Sequence, residues 1–312
     1  MFITAKKKSF LIQMKITITG GAGFIGSSLV KSLMEEHQIT VFDAKKPKFN
    51  VDFAEGDINN PDDLIRATKN SHVVIHLAAT LGVVNTEKNP IKTLDTNIIG
   101  TRNVLEACRL NNVKKIIFSS SSELYGEPLK VPISETDKPI PITTYGISKL
   151  AAEEYIKAYS KSYGIKYTIL RLFNVYGDEQ GTQWVVPEFV NQAVRNQDIT
   201  IHGTGSQIRA FCYVSDIADA FRIVLEKGDG EIFNIGNDRE PISIKELAEK
   251  VISLSDSKST INSIPFEKSD RDRSEIMKRA PSIEKAKKLL GYNPKIFLEE
   301  GIRKVIKKKL ER

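Results

Sequence analysis

The sequence predicts an α/β fold in which a doubly wound parallel sheet is followed by a smaller, mixed α/β lobe. Three observations predict it. Strand-like and helix-like segments alternate from Met14 to about Asn174. The strands of that half, such as Val73 to Leu77, are continuous apolar runs rich in β-branched residues, as in parallel sheets covered on both faces. The first strand also runs through a glycine-rich turn into a helix and a second strand, the length of a crossover between parallel strands.

The elements follow in order. Ile16 to Thr19 reads as a short buried strand and Ser27 to Glu36 as a helix with Leu29, Leu33 and Met34 on one face. Ile39 to Phe42 is the second strand, ending at Asp43. A helix over Leu64 to Thr68 follows the Asn60-Pro61 start signal. Val73 to Leu77, Lys115 to Ser119 and Tyr167 to Leu172 read as strands, and Thr96 to Leu110 and Tyr145 to Tyr163 as the helices between them. Beyond Asn174 the pattern loosens. Helices are expected over Pro187 to Arg195, Ser243 to Leu254 and Ser282 to Leu290, with short strands at Ile199 to His202 and Phe211 to Val214. This divides the chain into an N-terminal extension (1–13), a dinucleotide-binding domain (14–174) and a mainly substrate-binding lobe (175–312), with part of 210–236 returning to the first domain.

Composition narrows the function. The 312 residues are 40% hydrophobic and 27% charged, with a formal net charge of +7. No apolar run approaches the roughly 18 residues that span a bilayer, so no membrane partner is expected. The basic excess favours anionic partners such as nucleotide diphosphates. Aromatic residues do not interleave with the basic ones, which argues against nucleic acid. Lys6, Lys7 and Lys8, and Lys304, Lys307, Lys308, Lys309 and Arg312, read as solvated tails. Two cysteines, Cys108 and Cys212, are too few for a disulfide framework, and a reducing cytoplasm is the simplest setting. The four histidines offer no metal-binding spacing, so no metal is expected.

The glycine-rich turn is Thr19-Gly20-Gly21-Ala22-Gly23-Phe24-Ile25-Gly26. A tight turn needs positive φ, a pyrophosphate needs close backbone amides, and a helix start offers partial positive charge. The turn follows a strand, opens a helix and precedes an acid at the end of the next strand, so it predicts a bound dinucleotide. The acid, Asp43, can accept both ribose hydroxyls of NAD and would repel the 2′-phosphate of NADP, although Lys45 and Lys46 follow closely. Asp57 ends another short segment and is placed to meet the adenine.

Tyr145 and Lys149 stand four apart at the start of a helix, on one face. A phenol is a poor base at neutral pH, but a nearby ammonium and a positive nicotinamide both favour its phenolate. The run Ser119 to Ser122 ends a strand just before it, where a serine can hydrogen-bond a reacting oxygen.

With these pieces in order, the chain resembles the extended short-chain dehydrogenase/reductases of the nucleotide-sugar epimerase/dehydratase family. The motifs are TGGAGFIG from Thr19, HLAA from His76, NIIGT from Asn97, SSSSELYG from Ser119, YGISK from Tyr145, RLFNVYG from Arg171, GTGSQIRAFCYVSD from Gly203 and KRAPSIEKAKKLLGYNP from Lys278. The resemblance implies a Rossmann fold, bound NAD, a nucleotide-sugar substrate, UDP-linked by preference, and a homodimer. It implies Tyr145 as base, Lys149 as its activator and Ser121 as the catalytic hydroxyl. Around the dinucleotide it implies Gly20, Gly23, Phe24, Ile25, Gly26, Asp43, Asp57, Ile58, Leu77, Ala78, Ala79, Asn97 and Ser119. Asn174 and Arg209 would meet the substrate diphosphate, with Arg279 the best match to a second arginine ahead of Arg271 and Arg273.

The reaction turns on Glu123. Dehydratases of this family carry Asp-Glu where this chain has Ser122-Glu123. The stretch from Asn89 to Asn97 and Arg279-Ala280-Pro281 resemble UDP-glucuronate decarboxylases, whereas Gly177 to Gln180 and Val185 to Phe189 resemble the epimerases. The expectation is a 4-epimerase acting on a UDP-hexose through a 4-keto intermediate. A UDP-glucuronate decarboxylase and a 4,6-dehydratase are the alternatives within the family. A nucleotide-sugar reductase and an inactive binding protein are the alternatives outside that chemistry.

Overall fold

The computed structural model describes residues 13–266 and 275–311. The chain opens with β1 (Lys15–Thr19), α1 (Phe24–Leu33), β2 (Gln38–Asp43), β3 (Asp52–Glu55), α2 (Pro61–Ala67) and β4 (Val73–His76). Next come α3 (Val83–Lys88), α4 (Pro90–Leu94), a π-helical turn (Asp95–Ile99) and α5 (Gly100–Leu110). Strand β5 (Lys115–Ser121), a 3-10 turn (Ser122–Tyr125), α6 (Thr144–Tyr163), β6 (Lys166–Leu172) and β7 (Val175–Tyr176) follow. The second half runs α7 (Val185–Ala193), β8 (Ile199–His202), β9 (Ile208–Ala210), β10 (Cys212–Tyr213), α8 (Val214–Ile223) and β11 (Glu231–Ile235). It ends with β12 (Pro241–Ser243), α9 (Ile244–Leu254), β13 (Ile261–Ile264), β14 (Lys278–Arg279), α10 (Glu284–Leu290) and α11 (Leu298–Leu310).

Seven strands form one parallel sheet in the order β11-β6-β5-β4-β1-β2-β3. Two apolar layers seal its faces. On one, Ile16, Ile18, Leu29, Leu33, Ile217 and Phe221 join α1 and α8 to the sheet. On the other, Val74, Val104, Leu105, Ile116, Phe118, Ala152 and Ile156 join α5 and α6. The direction of winding reverses between β4 and β1, and such a switch point opens a crevice at the carboxyl ends of the strands. The fold is thus the doubly wound α/β architecture that the strand pattern predicts. Around the crevice stand small sheets, β10-β7, β12-β9-β14 and β13-β8, over a second core that includes Phe189, Val190, Leu247, Val251, Ile302 and Val305.

Several expectations need correction. Helix α1 begins at Phe24 rather than Ser27, because Gly23 itself is the N-cap. The helix expected from Thr96 is split by the π-helical turn before Gly100, and α3 and α4 precede it. The strand expected over Phe211 to Val214 stops at Tyr213, and α8 starts at Val214 to bury Ile217, Ala218 and Phe221. The largest correction is at the C-terminus. Lys304, Lys307, Lys308 and Lys309 belong to α11, not to a tail. Leu298, Ile302, Val305 and Ile306 recur at helical spacing and are buried, while Glu299 and Glu300 open the helix and the lysines close it, in accord with its dipole. Residues 1–12, with Lys6, Lys7 and Lys8, lie outside the described residues, as does Arg312. Among the described residues no helix is long and apolar enough to cross a membrane.

Because α11 is part of the second core, Ile302→Ala is expected to destabilise the protein by about 2–5 kcal/mol. Urea unfolding reads the change. A midpoint equal to the parent's would mean that the helix is dispensable.

Candidate active site

The crevice begins at the glycine turn. Gly20 has φ of +73°, and a Cβ there would lie 2.7 Å from the backbone nitrogen of Ala78. A Cβ on Gly26 would overlap the Gly20 carbonyl. Glycine at both positions lets β1, α1 and the Leu77-Ala78-Ala79 segment after β4 close on one another, with Leu77 N donating to the Thr19 carbonyl at 3.0 Å. Gly23 is exposed, and no side chain caps α1. The first turn of a ten-residue helix therefore points its amides into the crevice without a protein acceptor from its cap. That arrangement fits the diphosphate of a dinucleotide. Asp43 sits at the end of β2, accepting from Ala22 N and Lys45 N, each at 3.0 Å. Its carboxylate thus borders the same turn. Asp57 holds its own loop through Asn59 N at 2.9 Å, and Ile58 packs against Gly100. Phe24 reaches Gly177 of the second half, and Ile25 packs against both cores.

Across the crevice, the start of α6 is held by two side chains. Thr143 is the N-cap, accepting from Gly146 N at 3.0 Å. Glu87 accepts from Thr144 N at 3.1 Å and from the Thr144 hydroxyl at 3.3 Å. Tyr145 follows in the first turn, its buried phenol near enough to Ser121 for that side chain to draw the pKa down. Lys149, one turn on, donates from Nζ to the Ser119 carbonyl at 2.8 Å. The ammonium lies 4.7 Å from the Phe118 ring centroid and 5.7 Å from that of Tyr145. Asn97, in the π-helical turn, accepts from Thr80 N at 2.8 Å and donates to Ser148 Oγ at 2.9 Å, tying the segment after β4 to α6.

Burial dominates the electrostatics here. It pushes the Tyr145 phenol well above its usual range, and Glu123 adds to this, while Ser121 and Arg279 pull less strongly the other way. It lowers Lys149 to about 7, against the field of Glu153. It also lowers His76 to about 3, so this ring is neutral between the hydroxyls of Thr19 and Thr101.

The other wall comes from the second half. Arg209 and Arg279 are register partners on β9 and β14. Arg279 donates to Asn174 Oδ1 at 2.9 Å and faces Glu123 Oε1 at 3.3 Å, and its buried Nε has no partner among the described residues. Asn174, at φ of +36°, also donates to the Ala210 carbonyl at 3.2 Å. Arg209 pairs with Glu275 and donates to the Ile208 carbonyl. Its pKa is lowered to about 10 by burial and by Arg279, with Glu275 opposing. The sequence suggested one arginine pair for a diphosphate. In the structure the two arginines are neighbours across β9 and β14, with Arg279 facing Glu123 and Arg209 facing Glu275. Arg271 and Arg273 lie outside the described residues. Sequence reasoning missed Glu87 and Thr143 as supports of Tyr145. Thr143 had a readable signal, a threonine just ahead of a helix start.

A sequence profile of the NAD dependent epimerase/dehydratase family matches residues 16–236. The chain belongs to this family. A UDP-glucose 4-epimerase from Thermotoga maritima, solved with UDP-glucose, is 34% identical, superposes with a TM-score of 0.90, and is matched over 96% of this chain and 99% of its own. A UDP-glucose 4-epimerase from Thermus thermophilus, solved with NAD, is 29% identical with a TM-score of 0.88, over 95% and 99%. A UDP-N-acetyl-alpha-D-glucosaminuronate decarboxylase from Bacillus cytotoxicus is 35% identical over 95% of this chain and 97% of its own. The protein is an NAD-dependent enzyme of this epimerase/dehydratase family.

The buried ammonium predicts a pH-dependent stability. Burial lowers Lys149 from its ordinary 10.5 to about 7 in the folded chain. Between those values the unfolded chain binds the extra proton, so the stability contribution rises with pH across the window and is lowest at its acid end. Lys149→Met should therefore be more stable than the parent near neutral pH, with the advantage shrinking as pH approaches 10. Urea unfolding across that range checks it. A gap that is constant or widens with pH contradicts the assignment.

Proposed function

We propose that the protein is a nucleotide-sugar 4-epimerase acting on a UDP-hexose. The observation that carries this reading is the Tyr145 phenol on Ser121, one helical turn from a Lys149 ammonium anchored to the Ser119 carbonyl. Bound NAD supplies the acceptor, and later the donor, of the hydrogen at the sugar carbon. Tyr145 takes the proton of the 4-hydroxyl, and Ser121 hydrogen-bonds the same oxygen as it becomes a ketone. Arg279 and Lys149 place positive charge near a phenol that burial alone would keep protonated. On return of the hydrogen to the other face, Tyr145 gives its proton back. The likeness to two UDP-glucose 4-epimerases supports UDP as the nucleotide.

One observation favours a second reading, decarboxylation of a UDP-linked uronic acid. Arg279 faces Glu123, and its buried Nε has no partner among the described residues. A guanidinium there suits a sugar carboxylate, which a neutral hexose lacks. The Bacillus cytotoxicus relative supports the same chemistry.

Product analysis after incubation with UDP-glucose, UDP-galactose, their N-acetyl forms and UDP-glucuronate separates the two. Interconversion of the hexoses is expected, and release of carbon dioxide from UDP-glucuronate alone would replace the first reading with the second. Tyr145→Phe is expected to lower turnover by about 100- to 10,000-fold. Turnover of none of the sugars by the parent protein would refute both readings.

We further propose a homodimer through α5 and α6, supported by the exposed apolar side chains of Leu110, Ile147 and Tyr163 along them, at 47–55% exposure for the last two. Light scattering is expected to return twice the 34.9 kDa chain mass, and the mass of one chain would refute it.

A further inference from the structure

One buried charge lies behind the groups that meet substrate. Glu153 is on α6, four residues beyond Lys149, and is fully buried. Helical spacing sets Tyr145, Lys149 and Glu153 on one face, each a turn apart. Their partners are three consecutive residues of β5. Tyr145 meets Ser121, Lys149 meets the Ser119 carbonyl, and Glu153 Oε1 accepts from Ser120 Oγ at 2.6 Å. Arg171, the register partner of Ser120 on β6, donates to Glu153 from Nε at 2.9 Å and from Nη2 at 2.7 Å. Its Nη1 continues to the Tyr125 hydroxyl at 2.8 Å, which donates to Asn234 Oδ1 on β11 at 2.8 Å.

An ion pair this deep is a weak source of stability, since apolar residues of similar volume often serve as well. Its geometry offers a different reason for it. Ser120 stands between the two β5 residues that the catalytic side chains touch. We propose that Glu153, balanced by Arg171, is a positioning residue that clamps the end of β5 to α6 and sets a negative charge behind the Lys149 ammonium.

The groups facing Lys149 leave that charge little competition. His76 on β4 is neutral at physiological pH, Tyr145 on α6 is a protonated phenol before cofactor binds, and β5 offers the Phe118 ring and the Ser119 carbonyl. Glu153 is the group whose field opposes the burial of Lys149. This inference rests on the role given to Tyr145 and Lys149, and its test needs neither substrate nor turnover.

The experiment is a lysine-selective NMR titration of the whole chain without added cofactor, with the Lys149 signal assigned from Lys149→Arg. Glu153→Gln removes the negative charge and exposes Lys149 to Arg171, so its midpoint is expected to fall by about one pH unit. Arg171→Met leaves Glu153 unbalanced, and the midpoint is expected to rise. Shifts of opposite sign are the signature of charge, because loosened packing would move both variants the same way. A midpoint that does not fall in Glu153→Gln, or that falls in both variants, overturns the proposal. Where a single variant does not fold, the E153M/R171M double variant decides: a midpoint below the parent's supports the proposal, and an unchanged one overturns it.

Discussion

The contact between the first turns of α6 and the end of β5 is the constraint on which the site depends. Ser121, the Ser119 carbonyl and the Ser120 hydroxyl at the end of the strand meet, respectively, a phenol, an ammonium and a carboxylate of the helix. None of these contacts would form if the helix slid by one residue, because its face would rotate by about 100°. The supports of α6 resist that slide. Thr143 and Glu87 hold its start, Asn97 reaches it through Ser148, and Ile156 and Ala152 pack its middle onto the sheet. The same contact explains the electrostatics. Burial that excludes water from the phenol raises its pKa and also disfavours the ammonium beside it, and a positive ring bound there would favour the phenolate.

The glycine turn between β1 and α1 was legible in the sequence because its logic is local. The glycines, the helix they open and the acid that ends the next strand lie between Thr19 and Asp43. Each residue type is dictated by its immediate neighbours, as the overlap of a Gly26 side chain with the Gly20 carbonyl shows. Tyr145 and Lys149 were legible for the same reason, since helical spacing alone brings them onto one face.

The remainder needed the folded chain. Glu123 and Arg279 are 156 positions apart, and no periodicity indicates that β14 carries the guanidinium to that carboxylate. Glu153 reads as one more acid in an Ala-Ala-Glu-Glu run, and only the register of β5 with β6 reveals the arginine that lets it be buried. The last helix was hidden differently. Its lysines dominate the composition of 304–309, although Leu298, Ile302 and Val305 carry the helical period beneath them. Charge at a chain end was given more weight than spacing, and spacing decided the structure.

The most direct test of this account is ultraviolet difference absorption of ionised tyrosine, titrated with and without NAD in the parent protein and in Tyr145→Phe. The account predicts that NAD brings out a tyrosinate signal at a pH well below 10, and that this signal is absent from the variant. If NAD binds and no tyrosine ionises below that pH, or if the signal survives in the variant, Tyr145 is not the base.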